Sequence, residues 1–93
     1  MTAERCNQIE EILSAAFTPK KLLIRDQSHL HAGHAGARDG RGHFAVDIVA
    51  EAFADSSRLE RHRLIYEALG DMMISDIHAL TIAAQTPDEA NRL

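Results

Sequence analysis

The chain predicts an α+β domain in which a three-stranded sheet packs against helices. Three observations lead there: a helical stripe of apolar residues near the start, an alternating run beginning at His43, and Pro, Gly and Ser punctuation that interleaves helices with strands. The predicted order is α-β-β-α-α-β-α, and residues 1–93 read as one domain.

Ile9, Ile12, Leu13, Ala16 and Phe17 fall at helical spacing, with Glu4, Arg5, Glu10 and Glu11 on the other side, and Thr18-Pro19 ends that helix. Leu22, Leu23 and Ile24, closed by Arg25 and Asp26, form a short first strand. From His43 the period becomes two, with Phe44, Val46, Ile48 and Ala50 on one parity and His43, Ala45, Asp47 and Val49 on the other. Asp55, Ser56 and Ser57 offer N-cap side chains to a second helix whose predicted stripe is Leu59, His62, Ile65, Tyr66 and Leu69, ended or kinked at Gly70.

A helical turn with Met72 and Met73 leads to a last strand from Ile77 to Ala84, in which His78 shares the parity of Leu80 and Ile82. Thr86-Pro87 stops it, and Pro87, Asp88 and Glu89 open a brief terminal helix with acids placed against its dipole.

Composition removes several function classes. An apolar share of 45% and a charged share of 26% fit an ordinary globular protein, and no apolar run approaches the roughly 18 residues of a spanning helix. The N-terminal residues lack a secretory apolar core and the single Cys6 has no internal disulfide partner, so the reading is cytoplasmic. A net charge of -4 argues mildly against a protein that works by coating phosphate backbones.

Four of the six histidines, His29, His31, His34 and His43, crowd a segment that also holds Gly33, Gly36, Gly40 and Gly42. Imidazole is the commonest metal ligand, and glycines let a loop bend until a ring meets a distant partner. The connection from Gln27 to Gly42 is about 16 residues, longer than the roughly 2 to 5 of a hairpin, and loops of such length commonly carry function.

The same histidines also read as members of a solvated loop, and His78 alone reads as a core-edge ring satisfied by one hydrogen bond. His62 reads as a packed ring on its helix. No Cys/His zinc motif, nucleophile elbow or P-loop is present, and Cys6 has no neighbour that would activate a thiolate. Arg58, Arg61 and Arg63 on the second helix allow a nucleic-acid reading, without an aromatic platform to support it.

Asp26-Gln27-Ser28, the glycine-histidine loop, His43-Phe44, Phe53, the run Arg61-His62-Arg63-Leu64-Ile65-Tyr66 and Ile77-His78-Ala79-Leu80 together resemble the BolA family, in its histidine-loop form, over nearly the whole chain. The resemblance implies a class II KH-like topology and no enzymatic activity. It implies partnership with a monothiol glutaredoxin around a [2Fe-2S] cluster shared with glutathione, in cluster trafficking or iron regulation.

Within that resemblance His78 is one ligand and His31 the favoured loop ligand, with His34 and His43 in reserve. Mixed cysteine and histidine ligation of this kind raises the reduction potential, as in Rieske centres. The alternative is a DNA-binding transcriptional regulator that uses Arg58, Arg61 and Arg63. The free chain is expected as a monomer or weak homodimer away from membranes. Two departures from the family pattern stand out: Asp55 replaces a common glycine and Ala90 a common tryptophan.

Overall fold

Apolar residues three and four apart build the first helix, α1 (Thr2–Phe17), in a computed structural model that describes residues 2–27 and 42–91. Ile9 and Leu13 are fully buried, and Cys6, Ile12 and Phe17 pack partly against the same core. The predicted stripe is corrected at one end: Ala16 is exposed and Cys6 extends the buried face instead. The helix closes where the Thr18 amide donates to Ser14 at 3.0 Å with Thr18 at φ 45, and Pro19 prevents continuation.

Strands β1 (Lys21–Asp26), β2 (Gly42–Val49) and β3 (Ile77–Gln85) form one sheet in the order β1-β2-β3. β1 runs antiparallel to β2 from Lys21 opposite Val49 to Asp26 opposite Phe44. β3 is parallel to β2, so the chain between them must cross over one face of the sheet. A 3-10 turn (Glu51–Phe53), α2 (Arg58–Leu69) and the short α3 (Met72–Ser75) make that crossover, and α4 (Pro87–Ala90) follows β3.

The period-two pattern of β2 is realised as predicted, with Phe44, Val46 and Ile48 buried on the helical side. They meet Ile9 and Leu13 from α1, Phe53 from the 3-10 turn, Ile65 and Leu69 from α2, Met72 and Ile77 in one core. Each such large apolar side chain contributes about 1.5–3 kcal/mol when fully buried. Ala45 and Val49 are buried too, because β2 is the central strand.

Ser57 caps α2 through a reciprocal pair: its hydroxyl accepts from the Glu60 amide at 3.1 Å, and the Glu60 carboxylate accepts from the Ser57 amide at 2.8 Å. These bonds hold the Glu60 carboxyl below its ordinary range. Gly70 ends the helix at φ 51, a backbone region suited to glycine.

The predicted stripe of α2 is corrected. Leu59 is 58% and Tyr66 40% exposed, and the buried side is formed by Ile65 and Leu69, flanked by the half-buried Arg61, His62 and Ala68. Arg61 takes a place on this face because its stem packs while its head finds fixed acceptors.

Asp55 sits at φ 63, the left-handed region that favours glycine. Aspartate tolerates that region better than most side chains. Asp55→Gly is expected to raise stability by about 0.5–1 kcal/mol, once the greater freedom of unfolded glycine is subtracted from the relieved Cβ strain. A higher urea midpoint at constant m-value is the measurement that checks it.

Candidate functional site

Two histidines far apart in sequence meet at one end of the sheet. His43 is the second residue of β2 and is half-buried on the outward parity with Ala45 and Asp47. β3 brings His78 beside it through an irregularity: Gly42 pairs with Ile77 but His43 pairs with Ala79, so His78 is one residue too many for the ladder.

The bulge corrects the sequence expectation that His78 shares the parity of Leu80 and Ile82. Ile77 is 1% exposed and Leu80 packs against the core, while His78 between them is exposed. The rings of His43 and His78 lie with centroids 5.0 Å apart and planes inclined by 51°. The signal was present in the chain: two core residues, Ile77 and Leu80, three apart rather than two or four, demand an extra residue in a regular strand.

The backbone under this pair is fixed on both sides. The Gln27 amide donates to the His43 carbonyl at 2.8 Å, and the Gly42 amide donates to the Asp76 carbonyl at 2.9 Å. Asp76 is itself held by Arg5 at 3.3 Å and by the Ser75 hydroxyl at 2.9 Å. Gln27 and Gly42, which flank residues 28–41, both stand at this end of the sheet. His29, His31 and His34 lie outside the described residues. Among the described residues no group of three or more His, Cys, Asp and Glu side chains is arranged to hold a metal ion. Two adjacent imidazoles suit a shared site that a second donor set completes.

The other sequence candidates separate clearly. Arg61 is removed from the free cationic surface: its side chain is 11% exposed, its Nε donates to the Ser56 carbonyl at 3.0 Å and its Nη1 to the Ala84 carbonyl at 3.0 Å. Nη1 and Nη2 also grip the two carboxylate oxygens of Glu89 at 2.7 and 3.1 Å. Arg61 therefore ties α2 to β3 and α4, which is a structural role. Arg58 and Arg63 are exposed. His62 is half-buried and meets the Tyr66 ring edge-on with centroids 6.5 Å apart.

Cys6 is half-buried, and burial, followed by the nearby Asp26 carboxylate, pushes its thiol up, which disfavours the nucleophilic thiolate. No helix among the described residues is long and apolar enough to cross a membrane.

Glu89 also closes a capping box with Thr86, its carboxylate accepting from the Thr86 amide at 2.8 Å. The Arg61 hydrogen bonds, then the Thr86 amide, hold its carboxyl down at about 2. A depressed carboxyl stabilises the fold above its unfolded value, and that contribution is lost as pH falls from about 4.5 toward about 2. Urea midpoints measured from pH 5 to pH 3 are expected to fall more steeply for the wild type than for Glu89→Gln.

Comparison with known proteins places these features in a family. The BolA family model, described as BolA-like protein, matches residues 13–89. SufE-like protein 1 of Arabidopsis thaliana, a chloroplastic/mitochondrial protein, is 45% identical over 87 residues, which cover 88% of this chain and 24% of that protein. The chain thus spans about a quarter of that relative's length. The DNA-binding transcriptional regulator BolA of Escherichia coli (strain K12) is 38% identical over 82 residues, covering 88% of this chain and 75% of the regulator. The solved BolA domain of SufE1 from Arabidopsis thaliana superposes with a TM-score of 0.82 at 42% identity, over 91% of this chain and 94% of that domain. Family match, sequence identity and shared α+β topology agree, and the chain belongs to the BolA-like family.

Proposed function

We propose that the protein is a non-enzymatic partner of a monothiol glutaredoxin and contributes imidazoles to a [2Fe-2S] cluster that the two proteins share with glutathione. The adjacency of His43 and His78, at the end of the sheet where Gln27 and Gly42 stand, is the observation that carries this reading. Neutral imidazoles are suitable iron donors, and the thiolates of a glutaredoxin and glutathione would complete the set. His78 is the fixed donor in this reading. Its companion is His43, already beside it, or His31, favoured by the family resemblance, with His34 in reserve.

The bound cluster would supply transferable iron and sulfide and a one-electron redox centre. The chain's own part is to present the exposed His78 ring with His43 beside it to a docking partner, in cluster trafficking or iron regulation within the cytoplasm. Reconstituting the cluster on a mixture of this protein and a monothiol glutaredoxin tests the reading. A visible circular-dichroism spectrum unlike that of the glutaredoxin alone, with one copy of each protein in the complex, is expected; a spectrum equal to the sum of the separate components overturns it.

A second reading, DNA-binding transcriptional regulation, draws on the E. coli relative's description and on exposed Arg58 and Arg63. Here the arginines divide. Replacing Arg58 or Arg63 by alanine is expected to flatten the salt dependence of DNA affinity by about one unit of slope each. Arg61→Ala instead loses two fixed carbonyl acceptors and its stem packing, and is expected to destabilise the fold by about 1–3 kcal/mol. Salt titrations and urea melts of the three variants separate these effects.

A further inference from the structure

The two edges of the sheet are unlike. β1 carries Lys21, Arg25 and Asp26, charges of the kind that discourage strand addition. β3, the opposite edge, has no charged residue and no proline in nine residues, IHALTIAAQ. Its backbone orientation follows from three hydrogen bonds. The carbonyls of Asp76 and Gln85 accept from Gly42 and Ala50 of the neighbouring β2 segment, whereas the Ala84 carbonyl faces the other way and accepts from Arg61. Alternation along the strand turns the amides and carbonyls of Leu80 and Ile82 to the same outer side.

Among the described residues that edge is protected at its ends, by the bulge at His78 and by the Arg61 head at Ala84. Beside it runs a groove with Ser56, Arg58 and His62 on one wall and Ile82 to Gln85 on the other. Arg61 in this groove is neutralised by Glu89, while Arg58 has no ion pair among the described residues. The groove therefore offers a net positive charge on a chain whose total is -4, next to an open row of peptide donors and acceptors.

We propose that this edge of β3 is a docking site for an extended acidic peptide of a partner protein, which adds as a fourth strand along Leu80–Ile82 and sets a carboxylate against Arg58. Backbone pairing supplies affinity and the carboxylate selects among strands. The site lies beyond the bulge from the histidine pair, along the same strand. It goes beyond the cluster reading and stands without it.

The probe is a fluorescein-labelled peptide of alternating valine and glutamate, eight residues long, titrated into the full chain and read by fluorescence anisotropy, with amide exchange read by NMR. Saturable binding and slowed exchange at the Leu80 and Ile82 amides are expected. N-methylation of alternate peptide amides, which leaves the protein untouched, is expected to weaken binding by about tenfold or more through lost backbone pairing. Arg58→Glu, an exposed position, is expected to weaken it by about fivefold or more through charge reversal.

No binding at millimolar peptide overturns the proposal, as does equal affinity for a control peptide of alternating valine and lysine of the same length or for the methylated one. Self-association of the chain with protection at the same two amides would assign the edge to a second copy and overturn the peptide assignment. Displacement of the peptide by a twelve-nucleotide oligo(dT) at equal concentration would assign the groove to nucleic acid and overturn it likewise.

Discussion

His78→Ala is expected to strip the cluster from the glutaredoxin pair while leaving the fold of this chain intact. The ring is exposed, and the apolar packing on either side of it belongs to Ile77 and Leu80. Its loss should change stability by no more than about 0.5 kcal/mol. A ligand is another matter. Removing groups that merely support a metal ligand costs about 10–100-fold in affinity, so deleting the ligand itself should speed cluster loss by about 100-fold or more. Decay of the visible absorption of the mixed pair after dilution measures this directly, and wild-type retention in His78→Ala would end the assignment. The companion imidazole is decided by His43→Ala and His31→Ala in the same assay. The one whose removal reproduces the His78→Ala decay is the second donor.

Phe53→Ala should have the largest effect on stability and none on the site. Phe53 is fully buried in the 3-10 turn after β2 and packs on Phe17 with ring centroids 5.0 Å apart. Truncation removes the ring and leaves a cavity between α1 and the crossover, at a cost of about 3–5 kcal/mol. Domains of this size hold only about 5–15 kcal/mol in total, so the urea midpoint should drop by about a fifth or more. The His43–His78 pair lies at the far end of β2, and any folded fraction should still give the mixed complex with a monothiol glutaredoxin that the proposed function expects. A loss below about 1 kcal/mol would show that the core closes around the gap.

Much of this architecture was legible because strong local signals agreed with the tertiary packing. The alternation Phe44-Val46-Ile48, the Thr18-Pro19 stop, the Ser57 cap and the Thr86-Pro87 boundary each act within a few residues and each appears as expected. The stripe of α2 differs from the expectation because apolar identity does not by itself fix burial. Leu59 and Tyr66 reach solvent while Arg61, charged, turns inward to carbonyls of Ser56 and Ala84 supplied from outside its own helix. No local pattern announces acceptors placed by distant strands.

The site shows the same division. That histidines cluster in sequence was visible from their number, but the adjacency of residues 43 and 78 depends on register between strands. A single extra residue in β3 decides which way the later ring points. Parity counting assumes an unbroken ladder, and so it placed His78 with Leu80 and Ile82.

The parallel return of β3 has a consequence for when the chain becomes competent. Contacts between residues 43 and 78 close a long loop, and such pairings form slowly because the ordering entropy comes before the reward. The antiparallel neighbour β1 joins β2 across a shorter stretch, but the second imidazole arrives only after the entire crossover has been laid down. A newly made chain caught before that moment has not yet brought residues 43 and 78 together, so in the proposed reading the paired donors would be missing. Completion of the crossover thus precedes the meeting of the two rings, and the order is enforced by the path of the backbone.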